Sequence, residues 1–225
     1  MDESEIPQLP QESLYSSYIK RIVDIFLAIF LLILFSPIAL IVAIAIKLNS
    51  KGPVLADTPE RVGRRGKLFN FHKFRSMYAN SHYILRTDVK FKKLYAEYKK
   101  NSFKLTEDPR ITSVGRVIRK YSLDELPQFI NVIKGEMSVV GPRAYYPDEL
   151  EEQQRKYPQT RPMVKKVLSV RPGITGLWQI SGRSEVNFDK RIAIDAYYVD
   201  NMSFLSDVII ILKTPWAMIS AKGAV

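Results

Sequence analysis

Cysteine is missing from the 225-residue chain, and histidine occurs only as His72 and His82. Disulfides, thiolate catalysis and cysteine-based zinc sites are excluded. A histidine-rich metal centre or a Ser/His triad lacks its parts, and no Gly-x-Ser-x-Gly or zinc-binding helix motif occurs. The stretch GRRGKLF carries Gly63, Gly66 and Lys67 but lacks the spacing and the Ser/Thr of a phosphate-binding loop. Acidic residues are also in short supply. There are 34 Lys+Arg against 23 Asp+Glu, a formal net charge of +11. Such an excess points to an anionic partner: nucleic acid, anionic lipid or a phosphorylated substrate. With 46% hydrophobic residues, an ordered core is within reach.

One long run is free of charge. Ile25 to Ile46 spans 22 residues, where crossing a bilayer takes about 20. Lys20 and Arg21 precede it, and Lys47 and Lys51 follow it. Both flanks are therefore basic, and neither is the obvious one to translocate. Ser36-Pro37 interrupts the run at its centre. Pro37 cannot donate to the carbonyl of Ile33, and the Ser36 hydroxyl can bond back one turn, so a sharp bend is expected. Two readings stay open: a spanning helix with a proline kink, and a re-entrant helix-break-helix that returns to its own face. Ala43-Ile44-Ala45 has the form of a signal-peptidase site, but the polar lead-in is long and the run exceeds an ordinary signal core. The segment FLSDVIIILKTPWAMIS is broken by Asp207, Lys213 and Pro215. Everything after Lys47 is thus expected on one side, and its basic excess favours the cytoplasm.

The chain divides into a flexible polar lead-in (1–17), the membrane segment (18–50) and a remaining domain expected on the cytoplasmic side (51–225). The expected class is α+β, mainly helical, with a small β-hairpin or short strands. KGPVLADTPERVGRRGKLFNFHKFRSM is rich in turn residues and then alternates Leu68, Asn70, His72 against Phe69, Phe71, Lys73, as a hairpin does. Ile84, Phe91, Leu94, Tyr95 and Tyr98 recur at helical spacing among five lysines. That stripe suits either a helix lying on an anionic membrane surface or an ordinary helix packed on a core. ITSVGRVIRKYS and DELPQFINVIKG read as short helices, the second stopped by Gly135. MSVVGPR reads as a strand entering a turn, RPGITGLWQISGR as a glycine-rich loop, and the segment from Asn187 to Thr214 as mostly helical.

The densest chemistry lies in RKYSLDELPQ. Asp124 and Glu125 are adjacent carboxylates just after Arg119 and Lys120. A local reading explains them as helix capping: Ser122-x-x-Glu125 fits a capping box, Asp124 could be the N-cap, and Pro127 suits a first turn. A chemical reading is also open. A carboxylate can attack phosphorus and form an acyl phosphate, provided that arginines or a divalent metal neutralise the approaching polyanion. Arg110, Arg116, Arg119 and Arg143 are near in sequence, and Gly141-Pro142-Arg143 would hold one guanidinium on a tight turn.

Five ordered blocks then carry a resemblance: KRIVDIFLAIFLLILFSPIAL, KFRSM, DPRITSVGRVIRKYSLDELPQFINVIKGEMSVVGPR, VRPGITGLWQISGR and YYVDNMSFLSDVIIILKT. Together they resemble the bacterial sugar transferases, the monotopic phosphoglycosyl transferases, from Tyr18 to the C-terminus. The resemblance implies transfer of a phosphosugar from a UDP-sugar to undecaprenyl phosphate, with release of UMP, at the start of surface-polysaccharide assembly. It implies Asp124 as nucleophile and Glu125 as its partner in acid/base or metal-linked work. Mg2+ would shield the diphosphate, touching Asp124. Arg119, Arg143, Pro142, Arg110 and Gln128 would surround the phosphates and nucleotide. Ser36 and Pro37 would form the bend of a re-entrant membrane helix at the cytoplasmic face of the inner membrane. The implied partners are UDP-sugar, undecaprenyl phosphate and membrane lipids, not nucleic acid, with a homo-oligomer left open. Two departures stand out. Ala144 replaces the last proline of the usual Gly-Pro-Arg-Pro, and the match is to the small catalytic form, without the N-terminal multi-span domain of larger relatives. The GLWQISGR block and the KGAV terminus resemble the hexose-1-phosphate branch. The competing reading from composition alone is a non-catalytic, membrane-anchored basic protein that binds anionic lipid or nucleic acid.

Overall fold

The computed structural model describes residues 15–100, 105, 107–181 and 187–219. A single π-helical stretch, Tyr15–Ile19, leads into α1 (Lys20–Leu34), and α2 (Ser36–Asn49) follows after one residue. Most of the expected lead-in lies outside the described residues. The break between the two helices has the expected cause. Pro37 leaves the Ile33 carbonyl without its usual donor, and the Ser36 hydroxyl takes that carbonyl at 2.8 Å. Phe35 sits between the helices at φ −91°, ψ 2°, and the helix axes differ by 60°. Among the described residues no single helix is long and apolar enough to cross a membrane; the bent pair passes that test only when taken together.

Both arms dock on the rest of the chain. In α1, buried Asp24 accepts from the Ser138 hydroxyl at 2.7 Å and from the Val139 N–H at 3.0 Å. Arg21 donates to the carbonyls of Val132 and Ile133 at 2.6 and 3.0 Å. These are last-turn carbonyls of α6 (Gln128–Lys134), which ends at Gly135 with φ 85°. Lys20 reaches Asp207 at 2.5 Å, and Asp207 also accepts from Tyr15 and Tyr198. In α2, Val42 and Ile46 pack with Phe74 and with Ile118 of α5 (Ser113–Lys120). Arg75 closes the end of α2 by donating to the Ser50, Lys51 and Pro53 carbonyls. The convex side of the bend stays bare: Phe26, Phe30, Ile33, Leu40 and Ile41 are each more than half exposed.

The expected hairpin forms. β1 (Arg61–Val62) pairs antiparallel with β2 (Leu68–Phe69), turning through Gly63 to Gly66. Phe69 enters the core and Leu68 faces out, as the alternation requires. The lysine-rich stretch differs from one continuous helix. It divides into α3 (Ser81–Thr87), a 3-10 turn and α4 (Lys92–Lys100), because the Asp88 carboxylate takes the Lys90 N–H and starts a new turn. Leu85, Tyr98 and Leu105 pack together with Phe91, Leu94 and Tyr95, so the apolar stripe covers a local core. Ile84 stays partly exposed at its edge.

The described part of RPGITGLWQISGR, residues 171–181, is more ordered than a loop, and its last two residues lie outside the described ones. β4 (Gly173–Thr175) lies parallel to β3 (Ser138–Val140), in register Ser138↔Gly173 and Val140↔Thr175. A crossover through α7 (Pro147–Lys156) and α8 (Arg161–Val167) joins them, and α9 (Leu177–Ile180) follows at once. The glycines here allow contact between main chains. A β-carbon on Gly173 would sit 2.1 Å from the Gly141 nitrogen, and one on Gly176 would sit 2.2 Å from the Gly141 oxygen. Helices α10 (Phe188–Asp200) and α11 (Phe204–Ile219) close the fold. α10 buries Phe188 and Ile192 against α8, and α11 packs Ile210 beside Val140 and Tyr198.

Gly173→Ala should lower stability by about 2–3 kcal/mol or more, because backbone must move to admit the methyl. Gly66→Ala, which meets nothing within 4 Å but needs φ +76°, should cost only about 1 kcal/mol. Thermal or denaturant midpoints of the two variants check this ordering.

Candidate active site

The turn after α5 decides where the carboxylate pair points. Ser122 adopts a left-handed conformation, φ 53°, ψ 24°, and Leu123–Glu125 forms one 3-10 turn. α6 begins only after Pro127. No side chain caps either turn, so the capping box Ser122-x-x-Glu125 is not made, and Asp124 is not an N-cap. The Asp124 carboxylate is instead buried, 2% exposed, and its Oδ2 lies 2.7 Å from the Lys73 Nζ. Glu125 lies 3.8 Å from the same ammonium and is more open to solvent. The backbone fixes this encounter: the Phe74 N–H donates to the Asp124 carbonyl at 2.9 Å. Gly115 lets α5 lie on the Ser76 carbonyl, where a β-carbon would come within 1.8 Å.

The pair opens into a cleft of about 290 Å³. Arg110, Arg119, Gln128 and Arg143 all line it, so most of the candidate residues converge. Two do not. Pro142 lies behind the wall and uses its carbonyl to accept from the Gly173 N–H at 2.8 Å. Arg116 is exposed and is not among the lining residues. Arg110 is steadied by Asp108 through two side-chain bonds of 2.8 and 2.6 Å. Arg143 sits on the turn after β3, its own N–H donating to Asp195 at 3.2 Å. Ala144 follows on this turn, which the β3–β4 pairing and Asp195 hold from both sides.

Among the described residues, the Arg110 Nη1, the Gln128 Nε2 and the Arg143 Nε are buried donors without a protein partner. An unmet buried donor costs about 1–3 kcal/mol. Three of them around one cleft favour a ligand rich in acceptor oxygens, such as a phosphate. Burial alone would weaken the charge on Arg143, but nearby Glu149, with Glu125 adding to it, raises its pKa above the usual arginine value. No cluster of three His, Asp or Glu side chains suited to a metal occurs among the described residues. The adjacent Asp124 and Glu125 do fit Mg2+ of the kind that keeps several waters and takes its other ligands from substrate phosphates.

Sequence reasoning passed over several groups that build the cleft. Lys73 stands in the sequence as the end of the hairpin alternation and the start of the KFRSM block, with nothing local to mark it as the partner of Asp124. Arg61, His82, Tyr98, Tyr146 and Trp178 also line the space. The Arg61 guanidinium lies 3.3 Å from the Tyr146 ring centre, and that of Arg143 lies 5.3 Å from the Trp178 ring. The cleft thus joins a charged floor to aromatic walls.

Comparison with known proteins identifies the architecture. The model of the bacterial sugar transferase family matches residues 15–221. The chain belongs to that family. An uncharacterized sugar transferase of Haemophilus influenzae is 44% identical over 94% of this chain. The undecaprenyl-phosphate galactose phosphotransferase of Salmonella typhimurium is 44% identical over 93% of it. The chain spans 43% and 42% of the length of these two transferases. It spans 87% of the exopolysaccharide production protein ExoY of Sinorhizobium fredii, at 42% identity over 91% of this chain.

In this member of the family, His82 should remain neutral at physiological pH. Burial, then Arg110, Arg61, Arg86 and Lys73, push its pKa down to about 4. Its unfolded pKa is about 6.5. Because the folded value is the lower one, this group weakens stability as pH falls from about 6.5 toward 4. Histidine NMR should give a midpoint near 4 for His82, and His82→Asn should flatten the acid slope of stability.

Proposed function

We propose that this chain transfers a hexose 1-phosphate from a UDP-sugar to undecaprenyl phosphate, releasing UMP. The observation that carries the reading is a buried carboxylate, Asp124, held by Lys73 among donors that lack protein partners. A protein that merely binds anions does not need that carboxylate, which repels them. Family membership and the name of the Salmonella relative, an undecaprenyl-phosphate galactose phosphotransferase, support a sugar phosphate as cargo and undecaprenyl phosphate as acceptor.

In this reading an Asp124 oxygen attacks the phosphorus bonded to the sugar. The anhydride bond to the uridine-bearing phosphate breaks, and UMP leaves with the electron pair. The phosphosugar is left on Asp124 as an acyl phosphate. An oxygen of the lipid phosphate then attacks the same phosphorus, and Asp124 departs as a carboxylate. Lys73 offsets the charge of the pair as the polyanion approaches, and Arg110, Arg119, Gln128 and Arg143 hold phosphate oxygens. Glu125, the more open carboxylate, handles protons or a metal ligand at the mouth. Mg2+ held by Asp124 or Glu125 together with the diphosphate would neutralise phosphate charge.

The bent pair suits a chemistry that needs a lipid phosphate. Arms of 15 and 14 residues are each about 21–22 Å long. With a 60° bend, the apex lies only about 11 Å beyond the line joining the two ends. The hydrocarbon core is about 30 Å thick. Both ends dock on the same domain, through Asp24 and Arg21 at one side and Arg75 at the other. We therefore read the pair as re-entrant at the cytoplasmic face of the inner membrane, holding the cleft at headgroup level.

Purified protein given Mg2+, polyprenyl phosphate and candidate UDP-sugars should release UMP. UDP as the sole nucleotide product would overturn the phosphosugar mechanism. Asp124→Asn should cut turnover by about 10³-fold or more with the fold intact, and near-normal turnover would remove Asp124 from this role.

Single cysteines placed by Ser4→Cys and, separately, Ser220→Cys test the topology, since the chain has no cysteine of its own. In intact cells neither should react with an impermeant thiol reagent, and both should after permeabilisation. Reaction at position 4 alone would mean a spanning helix.

A further inference from the structure

Behind the Arg143 turn lies a set of buried charges that the chemistry above does not use. Helix α10 carries Arg191 and, one turn later, Asp195; they are 2% and 0% exposed. Across from them are Arg143 and Tyr145 on the turn after β3, and Glu149, 1% exposed, on α7. The arrangement sets two guanidiniums, Arg143 and Arg191, against two carboxylates, Asp195 and Glu149. The Arg191 guanidinium lies 5.9 Å from the Trp178 ring centre and that of Arg143 lies 5.3 Å from it, so the indole that lines the cleft has contacts with both cations. The Asp195 Oδ2 accepts the backbone N–H of Arg143 at 3.2 Å, and the Tyr145 hydroxyl faces the same carboxylate.

A carboxylate buried this completely is costly to desolvate. As a packing element it is poorly chosen, since an apolar or amide side chain would fill the site at lower cost. Its value lies in what it touches: the backbone of the residue whose guanidinium faces the cleft.

We propose that Asp195 is a positioning residue for donor binding: its carboxylate, backed by Arg191, fixes Arg143 and the Trp178 indole in the cleft. The inference rests on the donor reading above. It extends the site to α10, which contributes no residue to the cleft wall.

Charge state supplies the test. Burial raises the Asp195 pKa to about 7, with the Arg143 N–H, Arg191, Arg143 and Tyr145 opposing that rise. Glu149 acts on Arg143, Arg191 and Tyr145 in the same pocket. Because the folded value is the higher one, the stability linked to Asp195 is fully present below its unfolded pKa of about 4 and is lost as pH rises through about 7. At pH 8 the carboxylate therefore opposes folding while serving the site.

Asp195→Asn keeps the size and an acceptor oxygen but removes the charge. At pH 8 its thermal midpoint should equal or exceed that of the parent, while the KM for UDP-sugar rises about tenfold and kcat changes little. A purely structural role would lower the midpoint and spare KM, and that pattern would overturn the proposal. A second measurement needs no substrate. The chain has two tryptophans, so Trp216→Phe leaves Trp178 as the sole tryptophan, excited selectively at the red edge of its absorption. Its fluorescence should shift with a midpoint near pH 7, and adding Asp195→Asn should abolish the shift. A shift that persists, or none in the parent, would also overturn the proposal. Absence of UMP release from any donor, with the fluorescence result as expected, would count against the donor reading and not against the placement of Asp195.

Discussion

The N–H of Phe74 donates to the carbonyl of Asp124 at 2.9 Å, and the cleft is arranged around that bond. It brings together two segments fifty residues apart. On one side it places Lys73 against the Asp124 carboxylate. On the other it leaves Arg75 facing the end of α2, where it takes three carbonyls. A short run of three residues therefore touches the Asp124 carboxylate at one end and the bent helix pair at the other. Displacing that run would separate the ion pair and loosen the end of α2 together. Ser122, in its left-handed conformation, makes the approach possible by turning the chain sharply after α5.

The electrostatics follow a graded plan. At the open end Glu125 is partly hydrated. Deeper in, Asp124 is neutralised by one lysine. Behind the wall Arg191, Asp195 and Glu149 are almost fully buried. On the proposed reading, a diphosphate entering such a cleft would meet donors already oriented, and few side chains would need to reorganise. The cleft walls carry more cationic than acidic side chains, in keeping with the basic excess of the whole chain.

Much of this was legible in the sequence where cause and effect are local. Ser36-Pro37 gave the bend because one missing N–H acts on one carbonyl a turn away. Gly135 gave the end of α6, and the alternation of Leu68 with Phe69 gave the hairpin. Three features were hidden for a common reason. The β3–β4 pair joins Ser138 to Gly173 across two helices, and no short-range pattern records such a pairing. Lys73 meets Asp124 through tertiary contact alone. The apparent capping box failed because Ser122 is held left-handed by its surroundings, which local propensity does not register. Asp88 likewise broke a stripe that periodicity alone read as continuous.

The joint between the Arg143 turn and β4 is built from Gly141, Gly173 and Gly176, main chain against main chain. Such a joint offers no side chain through which substitution can adjust it. Arg143 is thereby insulated from drift elsewhere in the wall. Variation must enter through the neighbours that do carry side chains, His82 and Tyr98 on one flank and Trp178 and Gln179 on the other. On the proposed reading, a scaffold of this kind could acquire new sugar preferences by exchanging those flanks while its phosphate chemistry stays where it is.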